Sequence, residues 1–231
     1  MLKSILKILP LLILVISCNR VIQSPKSAAE LTEQARRLRP GKLDSAIVLY
    51  KEAILLDSTY YEAYNNLGSA YLVKMQFDSA MTFLKEAIHL DSTKTIAYTN
   101  LANLFASRGE YYQAIDEIER VVRMKPDFSE AVFLLGMLKE KIGASDSARS
   151  LYHQSVAILD KRIARNDPHM LADQSNRAIA LIFEGKETEG RTAINQILQE
   201  HPGDSSLVQQ LRGFDREKYF KEIFPNYRQR N

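Results

Sequence analysis

The chain has 231 residues, of which 45% are hydrophobic and 26% charged, with 9 Gly, 7 Pro and a single Cys. This composition provides a hydrophobic core and excludes a disordered chain, a disulfide-stapled scaffold and a collagen-like fibre. The formal net charge is +3, and it falls to about +1 once Lys3 and Lys7 are set aside with the N-terminal segment, so the charge gives no reason to expect nucleic acid as a partner.

The first eighteen residues have the three-part layout of an export signal. Residues 1–7 are basic, and residues 8–16 are almost purely aliphatic but too few to span a bilayer. The sequence Val15-Ile16-Ser17-Cys18 then resembles the lipobox of bacterial lipoproteins, in which the Cys is lipidated and becomes the new N-terminus. The alternative is an ordinary signal with an incidental Cys. We expect a lipoprotein signal peptide over residues 1–17 and lipidation of Cys18, with palmitate among the acyl chains.

Lipidation of Cys18 would tether the remaining chain to a membrane. Several acyl chains on one residue exceed what stable anchoring requires. The tether, residues 18–26, reaches at most about 30 Å, so the folded part would stay close to the membrane. Asn19 follows the Cys, and in the lipoprotein families this residue is more compatible with the outer than with the inner membrane. The expected location is the bacterial cell envelope, at the outer membrane and facing the periplasm.

A period of 34 residues runs through the middle of the chain. Scarce Gly and Pro already favour a nearly all-helical chain over a sandwich of many strands. The residues that keep the 34-residue spacing are Ala46, Ala80, Ala114 and Ala148; Leu67, Leu101 and Leu135; Gly68, Ala102 and Gly136; and Tyr50, Leu84, Ile118 and Tyr152. This pattern resembles the tetratricopeptide repeat, a pair of antiparallel helices that approach closely at small residues. The resemblance implies an all-α solenoid of about five helix-turn-helix repeats with a C-terminal capping helix.

Five copies of the repeat can be placed in this register. They are predicted over residues 27–60, 61–94, 95–128, 129–170 and 171–204. The fourth copy is eight residues longer than the others, which predicts an elongated second helix that ends before Asn166-Asp167-Pro168. Thr59 and Glu62 together predict a capping box at the start of the second copy.

The last segment, residues 205–231, leaves the repeat pattern and is expected to form capping helices. Within it, Tyr219, Phe220, Ile223 and Phe224 fall on one helical stripe. A solenoid exposes an apolar face at its last repeat, and we expect this stripe to cover it. A docking tail or a self-association helix is the alternative.

No group of residues predicts catalysis or metal binding. The four histidines have no metal-ligand spacing, no glycine-rich phosphate loop is present, and a lipidated Cys18 would have no free thiol. The carboxylates are distributed as helix caps and i, i+4 partners. We therefore expect no enzyme activity, cofactor, metal or small-molecule substrate.

The resemblance implies that the first helices line a concave groove. The predicted groove residues are Asn65, Asn66, Ser69, Asn100, Asn103, Phe133, Leu134, Met137 and Asn176. An Asn has donors and an acceptor, so a ladder of them can pair with the backbone of an extended peptide, and the apolar residues would form a pocket for one hydrophobic anchor. The alternative is that the Asn side chains are merely solvated and that Phe133 and Leu134 belong to the core. The Lys and Arg of the carboxylate clamp found in chaperone-binding members of the family are absent here.

These features favour a membrane-anchored adaptor or scaffold whose partners are proteins or extended peptides of the cell envelope. The alternative is a structural accessory subunit of an envelope assembly, pilotin-like or part of outer-membrane protein assembly. Such a subunit predicts apolar surface outside the groove, for example on the elongated helix or at residues 219–227. An adaptor predicts that the groove carries most of the affinity.

Overall fold

A computed structural model describes residues 27–38, 40–165, 170–203 and 206–224 of the chain. The predicted signal peptide, the lipidated Cys18 and its tether lie outside the described residues. Within these ranges the chain is all-α, and no helix is long and apolar enough to cross a membrane. The α-helices are α1 (Ala28–Arg36), α2 (Leu43–Leu56), α3 (Tyr61–Val73), α4 (Phe77–Leu90), α5 (Thr95–Arg108), α6 (Tyr111–Met124), α7 (Ser129–Lys141), α8 (Ser145–Ala164), α9 (Met170–Glu184), α10 (Glu187–Glu200), α11 (Ser206–Arg212) and α12 (Arg216–Ile223).

The first ten helices form five pairs that stack in chain order. The first helix of each pair packs on the second helix that follows it; the first helices are α1, α3, α5, α7 and α9. The second helices α2, α4, α6 and α8 also pack on the first helix of the next pair. Contacts between neighbours in sequence are what define a solenoid. The predicted all-α solenoid of about five repeats is therefore confirmed.

The period of 34 marks the places where the two helices of a pair come closest. Ala80 and Ala114 are fully buried. A Cβ built on Gly68 would lie 2.7 Å from Cγ of Leu84, and one built on Gly136 would lie 2.7 Å from Cε1 of Tyr152. Such separations are below van der Waals contact, so the backbones can approach this closely only because these residues lack a side chain.

The turns between the paired helices of the second to fifth repeats use left-handed backbone. Gly109 ends α5 with φ of 79°, and its N–H donates to the carbonyl of Ala106. In the preceding repeat Met75 takes this place with φ of 57°, a conformation that side chains rarely adopt. Met75 is 68% exposed, so most of its side chain extends into solvent.

The predicted capping box of Thr59 and Glu62 is wrong. Thr59 donates from both its N–H and its hydroxyl to Oδ1 of Asp57, at 2.9 and 2.7 Å, and α3 begins without a side-chain cap. Glu62 instead binds the ammonium of Lys94, at 2.6 Å. The Asp-x-Thr turn recurs one repeat later at Asp91, so it belongs to the repeat connection and not to the helix that follows.

The extra length of the fourth repeat lies in α8, which has 20 residues. Its last turns carry Arg162, whose Nη2 lies 2.7 Å from Oδ1 of Asp173 on α9. Nη1 of Arg162 donates to Oγ of Ser129 on α7, at 3.2 Å. The elongated helix thus joins the first helices of the last two repeats.

The capping role belongs to α11 and not to the stripe of α12. Helix α11 packs on α9 and α10, where Leu211 is buried against Ile182, Ile194 and Ile197. The C-terminal capping helix is therefore present. The aromatic stripe that we expected to fill this role lies elsewhere, against the ends of α6, α7 and α9.

Candidate protein-binding groove

The groove is the face lined by α3, α5, α7 and α9. Its first part, the polar half, is formed by α3 and α5 and is built on three Asn side chains. Nδ2 of Asn100 donates to Oδ1 of Asn65 at 3.0 Å, and Nδ2 of Asn65 donates to Oδ1 of Asn66 at 3.3 Å. Asn65 is only 6% exposed, so it serves mainly to orient its two half-buried neighbours. The amides form one hydrogen-bonded chain across two repeats.

Two adjoining cavities open over this polar half. One, of about 770 Å³, is lined by Asn65, Asn66 and residues of α1 and α5. The other, of about 600 Å³, is lined by Thr99, Asn100, Arg162 of α8 and Arg165, which follows the end of α8. Both volumes are within the range of small-ligand or peptide sites.

Ser69 lies apart from these cavities. Together with Asn66 it lines a smaller space of about 220 Å³ that is closed by α1 and α2. Ser69 is thus one turn removed from the amide chain, at the turn side of the first two repeats.

The second part of the groove, the apolar half, contains a cavity of about 220 Å³ formed mainly by α7, with further walls from α8, α9 and α12. Five of the predicted groove residues line it: Asn103, Phe133, Leu134, Met137 and Asn176. Met137 is 2% exposed and so forms the floor. The Phe133 ring lies 5.4 Å from that of Tyr152 and 5.1 Å from that of Phe183, so Phe133 belongs to the core and to the cavity wall at once.

Helix α12 closes the apolar half, which the sequence reasoning missed. Tyr219 and Ile223 line the same cavity as Leu134 and Asn176. Phe224 is fully buried, and its ring meets that of Tyr111 edge-on at 5.8 Å. The sequence shows the aromatic stripe of α12, but the spacing of its residues does not indicate which surface the stripe covers.

Glu140 connects α12 to the core of the fourth repeat. Its Oε2 accepts a hydrogen bond from the hydroxyl of Tyr152, and its Oε1 accepts one from Nη2 of Arg216, both at 2.7 Å. Burial raises the pKa of Tyr152, and the hydrogen bond to the Glu140 carboxylate raises it further. Tyr152 therefore remains a neutral donor, and Glu140 keeps its place at the edge of the groove.

A cation among aromatic rings completes this edge. The Lys141 ammonium lies 5.2 Å from the ring centroid of Tyr111 and 5.9 Å from those of Phe220 and Phe224. Burial lowers the pKa of Lys141. Among the described residues no cluster of His, Cys, Asp and Glu could hold a metal ion. The groove face thus has amides at one end, and aromatic rings with paired charges at the other.

Models of one repeat family match the chain in three places. A model described as TPR repeat matches residues 38–73, and two described as tetratricopeptide repeat match residues 61–94 and 99–168. This chain contains tetratricopeptide (TPR) repeats. Proteins with such repeats are generally non-catalytic adaptors, and the TPR fold suggests binding of proteins or peptides.

Two solved structures, one of them described as a TPR protein, share the fold. TTC0263, a TPR protein of Thermus thermophilus, is 17% identical, with a TM-score of 0.62 over 80% of this chain and 97% of its own. The MamA protein is 22% identical, with a TM-score of 0.51 over 75% of this chain and 89% of its own. No curated protein matches the TPR chain significantly in sequence. These likenesses establish the architecture and leave the partner to be argued from the groove.

Proposed function

We propose that this TPR protein is a lipid-anchored adaptor or scaffold of the bacterial cell envelope that binds envelope proteins or extended peptides in its groove. The observation that carries the proposal is the hydrogen-bonded chain of Asn65, Asn66 and Asn100 beside an apolar cavity on the same face. Oriented amides can pair with a peptide backbone whatever its side chains, and the cavity can take one apolar side chain. The anchor rests on the lipobox-like sequence that ends at Cys18.

The groove is tested by replacing Asn66, Asn100 and Asn176 together with Ala. Partners would be captured by cross-linking in intact cells, and those that co-purify with the lipidated protein would be identified by mass spectrometry. We expect most of the capture to be lost, because the polar side chains of the groove face would be removed. Asn195→Ala is the matched control, since Asn195 is an exposed Asn of the second helix α10.

Removal of Asn100 also deprives Asn65 of a hydrogen bond, so a second variant is needed that leaves the amides intact. Leu134→Asp places a carboxylate in the apolar cavity, where desolvation opposes binding of an apolar anchor. If both variants are folded, lipidated and present at the normal level yet capture the same partners, the groove is not the binding surface.

The anchor has a separate test. Cells fed a labelled palmitate should label the native chain, and Cys18→Ala should abolish the label because the lipidated residue is gone. Persistent labelling of the Cys18→Ala variant would contradict the anchor.

A structural subunit of a permanent envelope complex is the second candidate. Large apolar side chains are exposed outside the groove: Leu55 is 86% and Leu56 57% exposed at the end of α2, and Tyr112 is 70% exposed on α6. The elongated helix α8, where such surface was expected, contributes none among the described residues. Leu55→Asp would reduce co-purification if this second surface carries the assembly, and would leave it unchanged if the groove does.

A further inference from the structure

Helix α12 presents one continuous face to the groove. Arg216, Phe220 and Phe224 follow one another at intervals of four residues, with Tyr219 and Ile223 beside them on the same face. The other side of the helix is charged and exposed; it consists of Glu217, Lys218, Lys221 and Glu222. This is the pattern of an amphipathic helix bound in a groove.

Each turn of this face contacts residues of the repeats. The guanidinium of Arg216 binds Glu140 at 2.7 Å and lies 4.6 Å from the ring centroid of Phe183. The Phe220 ring stacks on Phe183 with centroids 6.4 Å apart. One turn later, Phe224 is buried against Tyr111. From α12 the groove therefore receives a cation first and aromatic side chains four and eight residues after it.

The attachment of α12 is made by side chains. The backbone N–H groups of Tyr219 and Phe224 donate to carbonyls of the same segment, and that of Phe214 donates to Leu211 at the end of α11. The exposed Gly213 separates α12 from the capping helix α11, which has its own buried contacts. A helix of eight residues is too short to be stable in isolation. Helix α12 thus depends on the groove for its stability, whereas α11 is held on α9 and α10 by buried contacts of its own.

We propose that the apolar half of the groove binds an amphipathic helix of a partner protein, and that α12 is its resident occupant, which the partner helix displaces. The partner helix carries Arg or Lys followed by aromatic residues at i+4 and i+8, because Glu140, Phe183 and Tyr111 receive those groups from α12. This proposal deepens the proposed function and rests on it, since it names the class of ligand that one half of the same groove takes.

The test uses the full mature chain and a synthetic peptide with the sequence of residues 214–224. The chain has no Trp, so Tyr219→Trp provides a single fluorescent reporter where α12 meets the cavity. We expect the peptide to shift the emission to longer wavelength in a saturable way, because the displaced helix carries the introduced indole into water.

Weakening the resident helix should make the groove easier to enter. Adding Arg216→Glu to the reporter chain removes the Glu140 and Phe183 contacts of α12 and is expected to lower the half-saturating peptide concentration about tenfold. Lys218→Glu reverses a charge on the exposed side of the same helix and should leave that concentration unchanged. Equal half-saturation for Arg216→Glu and Lys218→Glu, or an emission that the peptide does not move, would overturn the proposal.

A second measurement separates groove binding from a nonspecific effect on stability. A peptide with Gln in place of Arg216 should bind about tenfold more weakly than the native peptide. Glu140→Gln can still accept from the hydroxyl of Tyr152 but has no charge, so it should reduce this discrimination, and unchanged discrimination would refute the assigned receptor. The fluorescence assay needs no envelope partner, so it is independent of the capture experiment in cells. If the peptide displaces α12 but no partner is captured in cells, the adaptor function is rejected and the helix-binding groove is kept.

Discussion

Replacing Arg162 by Met removes the cation that faces a buried carboxylate. Asp173 is 1% exposed, and the Arg162 guanidinium, with Nη2 2.7 Å from Oδ1, compensates its buried charge. Breaking a buried pair costs about 3–5 kcal/mol. Because the Arg162 side chain is 25% exposed, solvent screening reduces the expected loss in the free energy of unfolding to about 2–3 kcal/mol.

Urea unfolding followed by circular dichroism measures this loss. With a slope of about 1–3 kcal/mol per molar, the midpoint should fall by about 1–2 M. Asp173→Asn in the same chain removes the buried charge, so the double variant should recover much of the loss. Arg149→Met, at an exposed Arg of the same helix, is the control. The reasoning is refuted if Arg162→Met unfolds at the midpoint of Arg149→Met, or if Asp173→Asn restores nothing.

Two further predictions concern the repeat itself. Gly136→Ala would place a Cβ 2.7 Å from the Tyr152 ring, whose hydroxyl is held by Glu140, and should lower the free energy of unfolding by about 1–3 kcal/mol. Thermal unfolding measures this loss. The control is Gly41→Ala, which should change little because no atom lies within 4 Å of the added Cβ. In the folded state the pKa of Asp91 is lowered, mainly by the hydrogen bond from the Thr93 hydroxyl and next by the one from the Thr93 backbone N–H. Ionised Asp91 therefore stabilises the fold at a pH above its unfolded-state pKa, and this contribution is lost as the pH falls through its folded-state pKa. Thr93→Ala should be less stable than the native chain at neutral pH, and the difference in the free energy of unfolding should vanish in acid.

The helices could be predicted from sequence because their cause is local and repeated. Ala80 and Ala114 recur after 34 residues since each repeat packs on its neighbours in the same way, and a small residue is required wherever paired backbones approach. The burial of Asn65 could not be predicted in this way. Its environment is set by Asn100 in the next repeat, and one polar residue in a helix gives no sign of which neighbour it will meet.

The position of α12 illustrates the same limit at longer range. Its stripe was visible as a pattern, but the contact of Phe224 with Tyr111 joins residues more than a hundred positions apart. No period relates them, and the contact exists only because stacking of the repeats brings the ends of α6, α7 and α9 to one surface. A pattern predicts that a face will be buried, whereas the partner of that face depends on the assembled solenoid.

The two halves of the groove imply two kinds of ligand that respond differently to α12. A peptide paired with Asn66 and Asn100 can occupy the polar half while Tyr219 and Ile223 still close the apolar cavity. A helix that replaces α12 must first break the contact between Arg216 and Glu140. Arg216→Glu should therefore strengthen the binding of a helical partner and leave an extended peptide confined to the polar half unaffected. Comparing the two with the same variant shows which half of the groove a captured partner uses, because among the described residues a competitor from the chain itself occupies the apolar half alone.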